Sequence, residues 1–147
     1  MKLSKSGFYP KGLQALTSGA INLLRDTIKV VLVNGSRYHP SPRHRYLRAI
    51  SLDAVVAIKP LKDKTLSEGT GVFDAADITL NKVSGPQVDY LVIVQDTGDR
   101  DTSQLIALIG DNRGSLKGYG LPFLPNGGNV AILWGNGDAR IFRYGKA

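Results

Sequence analysis

The sequence predicts an all-β fold, an antiparallel β-sandwich of jelly-roll-like type with one N-terminal helix. Apolar residues recur at helical spacing only over residues 10–24, and about eight to ten short β-branched runs, separated by turn residues, fill the rest of the chain. Strands at such spacing are typical of sandwiches and barrels. With 147 residues the chain fits one domain, residues 1–147, in which residues 1–9 are a possible N-terminal arm.

The predicted helix begins at Pro10, because proline suits the first turn of a helix. Gly19 lies inside the predicted helix and lowers its helix propensity. We expect one amphipathic helix that covers an edge or a face of the β-domain. Its apolar stripe consists of Leu13, Leu16, Ala20, Leu23 and Leu24.

The strands are predicted from short apolar and β-branched runs that end in turn residues. A polar hairpin loop at 96–101 joins the two strongest runs, and residues 110–128 predict a long surface loop because they are rich in Gly, Pro and Asn. A Gly-Asn-Gly-Asp turn at 135–138 predicts a closing hairpin. The predicted strands are residues 28–33, 54–58, a short run near Leu66, 72–73, 78–80, 88–95, 105–109, 130–134 and 139–144.

Positive charge is concentrated in the first part of the chain. Residues 1–64 contain twelve Lys and Arg against three Asp, a net charge of +9, and the remaining residues carry −2, which gives +7 in total. The charge is densest in residues 35–48, called the basic segment below. Two prolines predict that it forms an extended loop, and residues 43–50 predict a short helix. Such a surface can bind nucleic acid or an acidic protein, or have no partner.

Six side chains of the basic segment are candidates for partner binding, and we expect the four arginines among them to lie on an exposed arm. Arginine forks bind phosphates and carboxylates through paired hydrogen bonds, and tyrosine rings stack on bases. Composition alone does not separate an acidic protein from a nucleic acid, although RNA-recognition and zinc-finger motifs are absent, so nucleic acid is the less favoured partner. The candidates are Arg37, Tyr38, Arg43, Arg45, Tyr46 and Arg48.

No group of residues predicts catalysis. Asp96-Thr97-Gly98 matches the short signature of aspartic proteases, but those enzymes need a second aspartate in matching context. His39 and His44 have no Ser, Cys or Glu arrangement beside them. Gly118-Tyr119-Gly120 lacks the Lys-Ser/Thr of a phosphate-binding loop. We therefore predict no catalytic residues and a protein that is not an enzyme.

Metal, cofactor and membrane sites are also unsupported. The chain has no cysteine, which excludes thiolate ligands. Its apolar runs are far shorter than the roughly 20 residues that span a bilayer, and no apolar signal region follows the N-terminus. We expect no metal, no cofactor and no membrane partner. Loop aspartates could supply oxygen ligands to calcium, but here they lack the closing Glu of a calcium-binding loop. These residues are Asp96, Asp99, Asp101 and Asp111.

Several blocks of the chain carry a family resemblance in collinear order. These blocks are residues 9–16, 26–33, 71–80, 91–98, 103–107, 121–128, 132–137 and 141–142. In this order the chain resembles a family of small bacteriophage virion proteins, and the resemblance covers most of its length. Each block alone is weakly specific. Residues 36–48 depart from the family pattern, since they are richer in Arg and Pro.

The resemblance implies a virion structural role without catalytic residues. We expect a capsid decoration, or cement, protein that is made in the host cytoplasm, binds the outer surface of the capsid and stabilises the head. Its expected partner is the major capsid protein. Because capsid lattices are symmetric, we expect a homo-oligomer, a dimer or trimer at a symmetry axis.

Three alternatives stay open. The chain could be a tail- or baseplate-associated virion protein. It could be a carbohydrate-binding sandwich with Trp134, Tyr119 or Tyr144 as stacking platforms. It could also be a nucleic-acid-binding module that uses the basic segment.

Overall fold

All the strand pairs in the described part of the chain are antiparallel, which confirms the prediction of an all-β chain with one helix. The computed structural model describes residues 7–66, 72–110, 121–132, 134 and 142–143. Helix α1 is Pro10–Thr17, and single 3-10 turns lie at Leu47–Ala49 and Leu52–Ala54. The strands are β1 (Gly7–Phe8), β2 (Ile28–Val33), β3 (Val55–Pro60), β4 (Thr65–Leu66), β5 (Val72–Asp74), β6 (Ile78–Leu80), β7 (Tyr90–Gln95), β8 (Gln104–Gly110), β9 (Val130–Ile132) and β10 (Phe142–Arg143).

The largest sheet lies in the middle of the fold. Its five strands have the order β1-β8-β7-β2-β3. Val31 of β2 lies opposite Val92 of β7 on one side and Ile58 of β3 on the other. Every residue of β2 except Lys29 is buried, and so are the four central residues of β7. Continuous apolar runs of this kind indicate strands that are covered on both faces.

One face of this sheet forms the larger hydrophobic core. Val30 and Leu32 of β2 pack there with Ala15 and Leu16 of α1. Two smaller sheets, with the orders β10-β5-β4 and β6-β9, contribute to the same core. Their buried side chains include Phe73, Ile78, Leu80 and Ile132.

The other face of the sheet is covered by a segment without regular strands. Val31 and Val33 belong to a second core, which is closed by Tyr9 and by residues of the connection between β2 and β3. Burying a large apolar side chain contributes about 1.5–3 kcal/mol, so this connection is part of the folded core. The covering residues of the connection are Tyr38, Leu47, Ile50 and Ala54.

The N-terminal residues and Tyr38 correct two predictions. Gly7 pairs with Leu108 and Phe8 with Ala107, so residues 7–9 belong to the sheet and do not form a free arm. Tyr38 was a candidate for partner binding, but this residue is only 3% exposed. The hydrophobic effect explains this difference. The Tyr38 ring is buried in the second core, although the residues on either side of it in the sequence include arginines.

The helix is shorter than the predicted 10–24. It ends at Thr17 because Gly19 has φ +86°, which a right-handed helix does not accommodate. Ile21 and Leu23 are nevertheless buried in the larger core, whereas Leu24 of the predicted stripe is exposed. No helix in the described part of the chain is long and apolar enough to cross a bilayer.

Most of the predicted strands are present with shifted ends. Residues 43–50, predicted as a short helix, contain only the 3-10 turn. The strand predicted at 88–95 begins at Tyr90, and Val88 instead forms an isolated bridge with Phe123. Several predicted features lie outside the described residues: residues 111–120 of the loop, the hairpin turn 135–138, Asp111, Tyr119 and Tyr144.

Candidate partner-binding surface

The basic segment is fixed to the sheet through the outer edge of β8. The backbone N–H of Leu105 donates to the Arg45 carbonyl at 2.8 Å, and the N–H of Leu47 donates to the Ser103 carbonyl at 2.8 Å. Tyr46 lies between these two bonds and forms an antiparallel bridge with β8. The end of the basic segment is therefore held by main-chain hydrogen bonds, independently of its side chains.

A chain of buried hydroxyl groups anchors the middle of the basic segment. The hydroxyl groups of Tyr9 and Tyr38 are 2.7 Å apart, and the Tyr38 hydroxyl lies 2.9 Å from Nδ1 of His44. All three groups are satisfied when Tyr9 donates to Tyr38, Tyr38 donates to Nδ1, and the imidazole carries its proton on Nε2. Burial raises the pKa of Tyr38 to about 12 and raises that of Tyr9 further, so both phenols stay protonated.

Two arginines lie against the ring of Tyr46 on the outer side of the basic segment. The guanidinium carbon of Arg45 lies 4.9 Å from the centroid of the Tyr46 ring, and that of Arg48 lies 5.5 Å from it. Cation–π contacts at exposed sites contribute about 0.5–1 kcal/mol each. An open concavity of about 560 Å³ lies here and is lined by Arg43, His44, Arg45, Tyr46, Arg48 and Ala49.

The positive charge of this surface is only partly compensated. Arg37 lies 3.5 Å from Asp53, and Arg48 lies 4.0 Å from Asp101, and all four side chains are largely exposed. Such exposed ion pairs contribute about 0–1 kcal/mol and leave the guanidinium groups accessible. Within the described residues, Arg43 and Arg45 form no ion pair. The surface therefore presents net positive charge toward solvent.

The loop between β7 and β8 supports the basic segment from the side. Arg100 of this loop donates to the carbonyls of Leu47 and Ile50 and receives a backbone hydrogen bond from Arg48 at 3.1 Å. Arg100 could not be predicted from the sequence, because a single arginine in a polar loop gives no signal of its distant carbonyl partners. These hydrogen bonds place the loop and the basic segment in one rigid unit.

The Asp96-Thr97-Gly98 tripeptide belongs to this supporting loop. The Asp96 carboxylate lies 2.8 Å from Nζ of Lys29, and this hydrogen-bonded pair holds the pKa of Asp96 below its usual range. The N–H of Thr97 donates to the buried Ser103 hydroxyl at 3.0 Å. These interactions give the loop a structural explanation that needs no protease chemistry.

The other predicted candidates are dispersed. His39 is exposed, whereas His44 belongs to the hydroxyl chain described above. In the described part of the chain, no three His, Cys, Asp or Glu side chains lie close enough to hold a metal ion. Trp134 is buried and does not offer an exposed stacking face to a carbohydrate. The basic segment is thus the surface on which the predicted residues come together, with Arg37, Arg43, Arg45, Tyr46 and Arg48 accessible and Tyr38 inside.

No protein-family model and no curated protein matches the chain.

His44 gives a testable pH dependence. Burial lowers the pKa of His44 from 6.5, and protonation would reverse the hydrogen bond to Tyr38 and leave the Tyr9 hydroxyl without an acceptor. Because the folded pKa is lowered, this stabilisation is complete above pH of about 6.5 and is lost as the pH falls through the folded pKa. We expect the Tm to fall between pH 7.5 and pH 5, and to fall less in His44→Asn, which keeps an acceptor but does not titrate. Arg43 and Arg45 are the charged side chains that line the same concavity as His44. Equal falls in Tm for the two proteins, measured by circular dichroism, would contradict this role of His44.

Proposed function

We propose that this chain is a bacteriophage virion structural protein that binds the outer surface of the capsid as a decoration, or cement, protein and stabilises the head. The observation that carries the proposal is the surface around Tyr46, where three arginines line an open concavity and the guanidinium groups of Arg45 and Arg48 lie against the tyrosine ring. The resemblance of the ordered sequence blocks to small virion proteins supplies the virion context. The major capsid protein is the proposed partner.

The rigidity of the surface supports docking to a preformed lattice. The basic segment is hydrogen-bonded to β8, and its apolar residues are buried against the sheet. A surface that is already ordered loses little conformational entropy on binding. This suits a protein that must bridge capsid subunits and resist internal pressure.

The side-chain chemistry favours carboxylates of a protein over the bases of a nucleic acid. Guanidinium groups pair with carboxylates through two parallel hydrogen bonds. A base would need a free aromatic face, but the ring of Tyr46 already has two guanidinium groups at 4.9 and 5.5 Å and Tyr38 is buried. Leu52 is 72% exposed next to Asp53, the partner of Arg37, and offers an apolar contact at the border of the same surface.

The finer architecture and the assembly state belong to the proposal as well. We infer a jelly-roll-like β-sandwich in which the two small sheets form the layer opposite the five-stranded sheet. Supporting this, Phe73 and Ile132 of the small sheets share one core with Leu32. We further propose a dimer or trimer at a capsid symmetry axis, because a symmetric lattice presents its binding sites in symmetric sets.

Heads that lack the protein provide the test. We expect purified heads without this chain to release DNA at a lower temperature than complete heads, and the purified protein to restore the higher temperature when it is added back. DNA release is followed by the fluorescence of an intercalating dye during heating. If depleted heads are as robust as complete heads and the added protein does not bind them, the cement function is wrong. Binding to tails alone would favour the tail-associated alternative.

A further inference from the structure

Within the described part of the chain, the outer edge of β3 has no neighbouring strand. β3 is the last strand of the order β1-β8-β7-β2-β3. The N–H of Leu61 donates to the Ile28 carbonyl at 2.8 Å. Hydrogen-bonded and non-bonded pairs alternate along an antiparallel ladder, so Lys59 and Ala57 point their backbone groups toward β2 while Ile58 and Pro60 point theirs outward. In the described part of the chain, no backbone group outside the sheet pairs with Ile58.

The opposite edge of the same sheet is closed. β1 pairs with the end of β8 nearest Leu108, and the backbone N–H of Tyr9 donates to the Ile106 carbonyl at 3.0 Å. Tyr46 forms a bridge with the start of β8. Exposed strand edges are templates for pairing with another chain, and folds normally cover them. The contrast between the two edges singles out β3.

A groove runs along the open edge. Next to Val56–Lys59 it has a volume of about 480 Å³ and is walled on its far side by residues 80–84. Next to Lys59 and Pro60 it continues with about 230 Å³, walled by residues 76–79. The length from Val56 to Pro60 is about 16 Å at 3.3 Å per residue, which is room for a short extended strand.

We propose that the edge of β3 binds one extended segment of another protein by strand addition, with an apolar side chain on Ile58 and a carboxylate near Lys59 and Lys82. Ile58 offers an outward N–H and an outward carbonyl, and Pro60 offers a carbonyl. The Ile58 side chain is 45% exposed, which makes it an apolar contact for the added strand. Lys59 and Lys82 both line the larger part of the groove and match an acidic residue of the added strand.

A second copy of this chain does not fit the groove as well as a single extended segment. Two-fold pairing of β3 with β3 would have to accommodate residues 76–84 of both copies beside the paired strands. The edge is also shortened by a β-bulge near Val55 and by Pro60, features that limit pairing between whole sheets. The bulge and Pro60 leave only the short stretch around Ile58 available for strand pairing. We therefore expect weak, reversible binding. The groove lies at the edge of the sheet opposite the basic segment, so this inference does not depend on the proposed function.

The test uses the full chain, labelled with ¹⁵N, and a capped hexapeptide of alternating valine and glutamate as the probe. We expect NMR shift changes confined to residues 55–60 and 76–84. At a peptide concentration about ten times Kd, the hydrogen exchange of the Ile58 amide should slow about tenfold. The amide exchanges only in the free protein, and mass action leaves about a tenth of the protein free. No shift change at millimolar peptide would overturn the proposal. Protection of Ile58 that rises with protein concentration alone would overturn it in favour of a second copy.

Two variants and a modified probe separate strand pairing from loose contact. Ile58→Pro removes the outward N–H without removing a bond to β2 and should abolish binding, whereas Ile58→Thr keeps the N–H and should retain it with a higher Kd. The same peptide N-methylated at alternate residues lacks the donors of a strand and should not bind the unchanged protein. Equal binding of the methylated and unmethylated peptides would overturn the proposal even if Ile58→Pro fails to fold.

Discussion

Gly12→Ala should lower the free energy of unfolding by about 3 kcal/mol, because the backbone of β8 fills the space where a side chain would begin. A Cβ atom at Gly12 would overlap the carbonyl oxygen of Leu105 and stand 2.8 Å from Cα of Ile106. Both are main-chain atoms of a buried strand and cannot turn aside as a flexible side chain would. The helix would have to move away from the sheet and loosen the packing of Ala15 and Leu16. Urea unfolding followed by circular dichroism measures the change.

Gln14→Ala is the matched control for Gly12→Ala. Gln14 is exposed on the same helix, so its replacement should change the free energy of unfolding by less than about 0.5 kcal/mol. A Gly12→Ala protein as stable as the control would show that α1 does not lie against β8. The close approach of helix and strand would then be wrong.

Replacing Arg37, Arg43, Arg45 and Arg48 together by Ala should weaken head binding strongly and flatten its dependence on salt. A single exposed ion pair contributes about 0.2–1 kcal/mol, so each single replacement should be mild. Removing four such ion pairs together corresponds to a rise in Kd of about fourfold to nearly a thousandfold if their effects add. Cosedimentation with depleted heads at low and moderate salt measures both the affinity and its salt dependence.

The control for this variant removes positive charge elsewhere. Lys11, Arg25 and Lys62 are exposed and lie outside the basic segment, so their joint replacement by Ala lowers the net charge by three and should leave head binding nearly intact. The four-arginine variant should keep the wild-type Tm, since these side chains lie outside both cores. Unchanged head binding would show that the basic segment is only a solvated face. Strong DNA binding at physiological salt, lost in the variant, would favour the nucleic-acid alternative.

Local patterns were sufficient to predict most of the strands and the start of the helix, but not the short strand β1. β2 and β7 were predictable because long β-branched runs leave few alternatives. The end of the helix was not, because Leu23 keeps its helical spacing although Gly19 has already turned the chain. The spacing of apolar residues therefore indicates which residues are buried more reliably than it indicates the secondary structure in which they lie.

The candidate surface was only partly predictable for a related reason. Tyr38 and Tyr46 both lie among arginines in the sequence, yet Tyr38 closes a core and Tyr46 faces the arginines outside. The difference comes from Tyr9, 29 positions from Tyr38, whose hydroxyl completes the buried hydrogen bond. Such pairings of distant residues leave no periodic signal. The open edge of β3 was equally hidden, because strand order is not encoded in the strand itself.

The most direct test of the central claim is the amount of this protein on purified heads that lack tails, measured by quantitative mass spectrometry. We expect the protein to be present on tailless heads in a fixed ratio to the major capsid protein, set by the symmetry of the lattice. We also expect release from the heads as salt is raised, because the arginines of the basic segment contribute to docking. Absence from tailless heads, with the protein present on isolated tails, would contradict the account.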